Sequence, residues 1–376
     1  MPNDYWRDER VVLTLDAGGT YFRFSATCAN CRVGPVITEQ SCAGSLSECL
    51  QSITTGLKAV RGAAPQPPVA ISFGFPGPAD YPNGVIGDLK HLPAFRGGVP
   101  LAALLEKEFG LPVFINNDGD LFAHGEAIAG FLPYVNRLLE KAGSSKQYRN
   151  LIGLTLGSGL GGGIVRAGEL FLGDNSLGAE VWLLRQKLST EACAEDGANI
   201  EAVRRVYAEE AGLDLSEAPT TKTIFDIARG EHVGDAVAAR EAFYQMGEVV
   251  GDVLAQLLAV VDGLAVIGGG LSGAWPFFSA ALFSELNREF VRPNGRKQRR
   301  LFQEVFDLEN DEELLRFLRD QSPELTAPAA GSAKASYNWH PRVGLGRSRL
   351  GTSEAIAIGA YCFALDRLDQ SARAHN

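Results

Sequence analysis

A strand, a glycine turn and a returning strand occur twice in this chain, at 11–26 and 151–172, and this repetition limits the fold more than any other feature. In the first copy Arg10-Val11-Val12-Leu13-Thr14-Leu15 reads as a strand and Asp16-Ala17-Gly18-Gly19-Thr20 as a tight turn. Tyr21-Phe22-Arg23-Phe24-Ser25-Ala26 then returns. In the second, Leu151-Ile152-Gly153-Leu154-Thr155-Leu156 enters the glycine turn Gly157-Ser158-Gly159-Leu160-Gly161-Gly162-Gly163. Ile164-Val165-Arg166, a turn at Ala167-Gly168 and a strand at Leu170-Phe171-Leu172 follow. Glycines let backbone N–H groups approach a phosphate, and Thr20 adds a hydroxyl. A hairpin tip also needs glycine for its own geometry. Asp16 is more specific, because an acid closing an apolar strand needs a partner such as a hydrated Mg²⁺. Two α/β halves, each opening on its own hairpin, are expected.

Between the copies lies VFINNDGDLFAHGE, residues 113–126. Val113-Phe114-Ile115 has the character of a buried strand, which stops at Asn116, Asn117 and Asp118 before a helical pattern begins. A carboxylate at the end of a buried strand is held at the mouth of a cleft, where open α/β sheets keep their chemistry. The same residues also suit a plain turn with a helix N-cap.

The 376 residues suit two domains, and an apolar share of 45% can bury a large core. A net charge of −10 argues against nucleic acid and against an acidic membrane surface as partners. No apolar run approaches the length that spans a bilayer, and MPNDYWRDER lacks the apolar core of a signal peptide, so a cytoplasmic protein is expected. The six cysteines, at 28, 31, 42, 49, 193 and 362, make a poor disulfide framework. Cys28-Ala-Asn-Cys31 has zinc-knuckle spacing that Cys42 and Cys49 could complete, or these are free thiols in a strand and its turn.

Residues 45–61 pattern as an amphipathic helix, and the strand 69–73 runs into the rigid loop Gly74-Phe75-Pro76-Gly77-Pro78-Ala79-Asp80. A helix over Leu101–Phe109 is stopped by Gly110, and 131–150 carries a charged helix with a polar loop. Gly157, Gly159 and Gly162 fit a dinucleotide fingerprint but lead into a hairpin, not a helix. Gly268, Gly270 and Gly273 have a strand before them and a helix from about Trp275, yet come too late to open a Rossmann domain. Residues 286–345 read as an insert: a basic run from Arg292 to Arg300, an acidic helix at 304–320 with which that run pairs or beside which it is simply solvated, and a loose Pro/Ala/Ser-rich loop at 322–336. An Ala-rich helix to about Leu368, able to pack closely on a sheet, closes the chain.

Five elements thus stand in order: LDAGGT at 15–20, GFPGPAD at 74–80, NNDGD at 116–120, LGSGLGGG at 156–163 and IGGGLSG at 267–273. Together they resemble the phosphate-1, connecting, catalytic, phosphate-2 and adenosine elements of the actin-like ATPase superfamily. Within it they are most similar to the ROK family of bacterial sugar kinases and repressors. The resemblance covers nearly the whole chain except about 131–150 and 286–345. It implies an α/β fold of two actin-like (ribonuclease H-like) ATPase domains flanking a cleft that closes on a sugar. The expected domains are 1–117, completed by a C-terminal helix at 352–370, and 118–350 with the insert. It further implies ATP-dependent phosphorylation of a hexose or hexose derivative. Asp118 would be the general base on the sugar hydroxyl, with Asn117 and Gly77 on the sugar. Asp16 would hold Mg²⁺ through water, while Gly18, Gly19, Thr20 and Arg23 surround the phosphates. Thr155, Gly157, Ser158 and Gly159 would hold the triphosphate from the other side, and Gly268, Gly269, Gly270 and Leu271 the adenosine.

The sequence departs from the family around the sugar. The family's Glu-x-Gly-His segment is here Glu180-Val181-Trp182-Leu183, so Glu180 matches the acid and an apolar residue replaces the histidine. Of the family's zinc-binding cysteine cluster only Cys193 remains, so structural zinc is not expected, while Glu201 stands where the cluster's sugar-binding acid falls. His91 replaces the usual asparagine of the connecting loop. Glu201 and His91 are sugar ligands on this reading, or merely a helix surface and a loop residue. A non-catalytic sugar-binding or sugar-sensing protein is the alternative. The family's repressors carry an N-terminal helix-turn-helix domain, and with the phosphate hairpin already at residue 16 none is expected here. A homodimer is the family's habit.

Overall fold

The computed structural model describes residues 5–18, 20–42, 44–77, 79–87, 93–319 and 341–374, and the backbone of Glu324–Thr326 and Lys334–Ser336. In chain order the main elements begin β1 (Val11–Ala17), β2 (Tyr21–Cys28), β3 (Cys31–Gln40), α1 (Leu46–Ala63) and β4 (Pro68–Gly74). They continue with α2 (Leu101–Phe109), β5 (Val113–Asn116), α3 (Asp118–Ile128) and α4 (Phe131–Lys141). Next come β6 (Leu151–Leu156), β7 (Leu160–Arg166), β8 (Glu169–Leu170), α5 (Ile200–Ala211), α6 (Thr221–Arg229), α7 (Ala236–Val261), β9 (Leu264–Gly268) and α8 (Trp275–Leu286). The chain ends with β10 (Glu289–Val291), β11 (Lys297–Arg299), β12 (Glu304–Asp307), α9 (Asp311–Leu318), β13 (Glu324–Thr326), β14 (Lys334–Ser336), β15 (Arg342–Arg347) and α10 (Thr352–Ala374). By contacts the chain divides into two units, one of Met1–Phe131, Gly161–Ala179 and Ser348–Asn376, the other of Leu132–Leu160 and Glu180–Arg347.

The first unit is built on a five-stranded sheet of order β3-β2-β1-β4-β5. Pairing is antiparallel in β1–β2 and β2–β3 and parallel in β1–β4 and β4–β5. Alternation along β1 sends Val11, Leu13 and Leu15 to the face covered by Ile53, Leu57, Leu101 and Leu105 of α1 and α2. Val12 turns to the other face, with Tyr361, Cys362 and Leu365 of α10. Helices α3 and α10 cross almost backbone to backbone. A Cβ at Gly125 would lie 2.0 Å from the Ala355 carbonyl oxygen, and one at Gly359 only 1.9 Å from that of Leu121. At the end of α3, fully buried Glu126 accepts from the backbone N–H of Phe131 at 2.7 Å and of Leu350 at 3.1 Å, and from the Ser348 hydroxyl. A buried carboxylate satisfied this way fixes the approach of the chain to α10.

Cys28 and Cys31 face each other across a two-residue turn whose Ala29 and Asn30 both have positive φ, 50° and 56°. This is a hairpin of the primed type, so the thiols belong to a strand and its turn. Cys49, on α1, is buried in the core, and among the described residues no group of three or more His, Cys, Asp or Glu is placed to hold a metal ion.

In the second unit β12, β15, β9 and β6 lie side by side, all parallel. Their apolar runs, such as Leu264-Ala265-Val266-Ile267, are buried throughout, as strands covered on both faces require. Helix α7 is long and apolar enough, by length and composition, to cross a membrane, which the expectation from apolar runs had not registered. It serves instead as a core helix. Gly247 and Gly251 let it meet α8 so closely that added Cβ atoms would lie 2.3 Å from the Phe278 oxygen and 2.8 Å from that of Leu282.

Several sequence expectations change. Gly161, Gly162 and Gly163 lie in β7, not in a loop, because a Cβ at Gly163 would meet the Gly119 oxygen at 2.6 Å and Ala123 at 2.7 Å. The strand expected at 170–172 is only the two-residue β8, joined to β7 through the Ala167-Gly168 turn. The expected acidic helix at 304–320 is strand β12 followed by the shorter α9. Part of the 322–336 loop pairs as β13–β14 and the remainder lies outside the described residues. Arg300 of the basic run binds Glu285 and Asp252, on α8 and α7, in place of the acidic segment.

Two glycine substitutions test the packing, one at the crossing of α3 and α10 and one away from it. Gly125→Ala is expected to cost about 3 kcal/mol in urea unfolding. Gly62→Ala, in the last turn of α1 where a Cβ meets nothing within 4 Å, is expected to gain about 0.5–1 kcal/mol. His124 of α3 is 1% exposed, and burial holds its pKa below the ordinary 6.5 despite the opposing field of Asp366. The unfolded chain then takes up the proton more readily. Stability is full above the unfolded value and falls as pH drops below it, by up to about 1.4 kcal/mol per pH unit. His124→Gln should therefore lose less Tm than the wild type between about pH 7 and pH 5 in calorimetry.

Candidate active site

Strand register brings the acids of the first unit to one level. Asp16 on β1 pairs with Arg23 on β2 and with Gly74 on β4, and Gly74 pairs in turn with Asn116 at the end of β5. The parallel strands β1, β4 and β5 thus end along a single row, and Asn117 and Asp118 step directly off it. This is the carboxyl edge at which α/β sheets bind ligands. Gly74 lies tight against Asp118, since a Cβ there would stand 3.1 Å from Asp118 Cα and 3.2 Å from Asp118 Cβ.

Asn117 is the N-cap of α3, its Oδ1 accepting from Gly119 N at 2.8 Å and Asp120 N at 3.4 Å. The stretch is thus both the end of strand β5 and the N-cap of α3. Asp118 opens the helix, with Oδ1 accepting from its neighbour's N–H, Gly119 N, at 2.9 Å. Asn117 Nδ2 donates to the Tyr81 hydroxyl at 3.4 Å, and that hydroxyl donates to the Phe75 carbonyl at 2.8 Å. Gly77 adjoins both, as a Cβ there would lie 2.6 Å from the Tyr81 hydroxyl and 3.3 Å from Asn117 Nδ2.

The Asp16 carboxylate is half-buried. Its Oδ2 accepts from the Ser353 hydroxyl at 2.7 Å, and Arg23 Nη1 stands 3.7 Å from the same oxygen. Asp16, Arg23 and Ser353 border a pocket of about 230 Å³ shared with Thr14, Ser25 and Arg32. Gly18 bends close to the Tyr21 carbonyl, 2.8 Å from where its Cβ would be, and Thr20 is exposed. Gly19 and His91 lie outside the described residues.

In the second unit Thr155 and Gly268 are register partners on neighbouring parallel strands. Gly269, at φ 85°, passes over the end of β6, where a side chain would strike the Leu156 carbonyl oxygen at 2.2 Å. Gly270 is exposed and Leu271 is buried beneath it. The turn beyond β6 leaves Ser158 exposed, and Gly157 N donates to the Gly159 carbonyl at 3.0 Å. The residues of this unit expected around a triphosphate and an adenosine therefore share the ends of β6 and β9. Glu180 accepts from the Trp182 indole, which orients its carboxylate. Glu201 is on the exposed side of α5, 3.0 Å from Arg204 Nη1.

Four residues not singled out from sequence hold candidate residues in place, two in each unit. Ser353 holds Asp16, Tyr81 touches Asn117, Trp182 holds Glu180, and Glu195 Oε2 accepts from Leu160 N at 2.9 Å at the rim of the glycine turn. Ser353 sits in a Gly-Thr-Ser-Glu helix start, but its partner is far away in sequence.

A family model described as ROK family matches residues 12–306. A crystal structure of glucokinase from Parabacteroides distasonis is 46% identical with a TM-score of 0.84, over 96% of this chain and 99% of that one. A ROK family glucokinase from Streptomyces griseus, in complex with glucose and AMPPNP, shares the fold at 19% identity and a TM-score of 0.59, over 93% and 98%. The glucokinase of Thermotoga maritima is 26% identical over 301 residues, 74% of this chain and 87% of its own. With its two α/β sheets, its ordered glycine turns and this match across most of its length, the chain belongs to the ROK family.

Proposed function

We propose that this protein is an ATP-dependent hexose kinase whose first substrate to test is glucose. The observation that carries the reading is the 46% identity, end to end, with the Parabacteroides distasonis glucokinase. The position of Asp118 supports it independently, because a carboxylate fixed at a strand end in the first turn of a helix has the rigidity a general base needs. Intact acids and glycine turns weigh against a pure sugar sensor, which needs no base.

In the proposed reaction Asp118 accepts the proton of a sugar hydroxyl as that oxygen forms a bond to the γ-phosphorus of ATP. The bond from that phosphorus to the bridging oxygen breaks, leaving ADP and a sugar phosphate. Asn117 and Gly77 border the sugar on one side, and Glu180, oriented by Trp182, binds a further hydroxyl. Glu201 and His91 would be further sugar ligands. Gly18, Gly19, Thr20 and Arg23 surround the phosphates, with Thr155, Gly157, Ser158 and Gly159 on the other flank and Gly268 to Leu271 against the adenosine. Asp16 fits a magnesium ion held through water, since a hard carboxylate oxygen beside a glycine turn is the donor such an ion takes. When bound, that ion supplies charge neutralisation at the transferring phosphoryl group. Ser353 fixes the orientation of the carboxylate.

The test is coupled ADP release with Mg-ATP across a panel of hexoses and N-acetylhexosamines. Turnover should appear on glucose, and Asp118→Asn should lower kcat about 10²–10⁴-fold with sugar binding by calorimetry retained. Thermal stabilisation by a sugar with no turnover on any would replace the kinase with a sensor. Ser353→Ala should raise the magnesium concentration for half-maximal rate about tenfold, and weaken magnesium-dependent ADP binding equally in calorimetry.

A further inference from the structure

Residues 184–198 form a small closed loop in the second unit. Arg185 and Cys193 make an antiparallel bridge, Gln186 N donates to the Ala192 carbonyl at 3.0 Å, and Ala194 N donates to that of Leu184 at 2.6 Å. The loop follows shortly after Glu180 and Trp182 and carries Glu195 near its end, whose carboxylate takes the Leu160 N–H of the glycine turn. Just beyond it, Ile200 N donates to the Gly157 carbonyl at 2.9 Å. The loop therefore joins the Glu180 side of the site to the glycine turn.

Apolar burial does little to hold it. Within 184–198 only Gln186, Ala194 and Ala198 are fully buried, and two alanines remove little apolar surface from water. The tip is held by charge. Lys187 Nζ stands 2.8 Å from Glu248 Oε1 on α7 and 2.7 Å from Glu285 Oε2 on α8. Glu285 is 5% exposed and also receives Arg288, at 3.1 Å, and Arg300, which binds Asp252 as well. Three cations thus meet three carboxylates, in surroundings drier than a surface ion pair. Without Lys187, Glu285 keeps both arginines and Glu248 still reaches solvent. Removing the ammonium therefore frees the loop tip while α7, α8 and Arg300 stay joined.

We propose that Lys187 is a positioning residue: its ion lock to Glu248 and Glu285 fixes the loop that sets Glu180 and Glu195, and so sets affinity for the sugar. The proposal rests on the kinase reading above, in which Glu180 meets the sugar. Lys187 itself touches no substrate.

The variant Lys187→Met should raise the KM for the sugar about tenfold and leave kcat within about twofold, while Lys187→Arg restores the wild-type KM. In native-state hydrogen exchange, the Gln186 and Ala194 amides of Lys187→Met should exchange at least about tenfold faster, with α7 and α8 unchanged. Unchanged protection of those two amides would overturn the proposal, as would a loosened loop with an unchanged KM. If Asp118→Asn retains turnover, the assignment of the base fails, while the exchange arm still decides whether Lys187 holds the loop.

Discussion

The contact on which the first unit depends is the crossing of α3 and α10 at bare backbone. Asp118 opens α3, and Ser353, one residue into α10, holds Asp16. The two acids are therefore set by helices whose separation is decided by Gly125 and Gly359. Interior packing is stiff, so a crossing this close leaves each helix start little freedom to shift. Glu126 reinforces it by drawing the segment before α10 onto the end of α3. The two carboxylates proposed to face ligand are placed by residues with no side chain at all, backed by one carboxylate buried between helix and chain.

The same device recurs wherever the backbone carries functional groups. Gly74 admits Asp118, Gly163 admits the start of α3, and Gly269 passes over the end of β6. Sequence reading takes a glycine run as a loop that cradles phosphate. Gly157 does lie in a loop, where an added Cβ would meet nothing within 4 Å, whereas Gly163 is a packing surface inside a strand. Both kinds stand a few residues apart in one run, and only the partner element tells them apart.

What was legible followed from local chemistry. The end of α2 at Gly110, the turn at Ala167-Gly168 and the strand that stops at Asn116 are written in neighbouring residues. Strands β12 and β15 were missed because their pairing partner is β9 or each other, reached across an insert of mixed charge. Ser353, Tyr81 and Glu195 were missed for a related reason, since each acts on a residue far from it in sequence or hidden in a turn. The basic run misled because its most buried member, Arg300, pairs with α7 and α8 and not with the nearest acids in the chain.

The cap on α3 gives the site a polarity. Asn117 commits its carbonyl oxygen to the first N–H groups of the helix and one amide hydrogen to the Tyr81 hydroxyl, so only its other amide hydrogen can face outward. An oxygen that meets this side chain is met as an acceptor. Its own hydrogen must point elsewhere, and the residue that follows in the chain, Asp118, is a carboxylate that can only receive it while ionised. A helix cap would in this way choose the direction in which a hydroxyl gives up its proton.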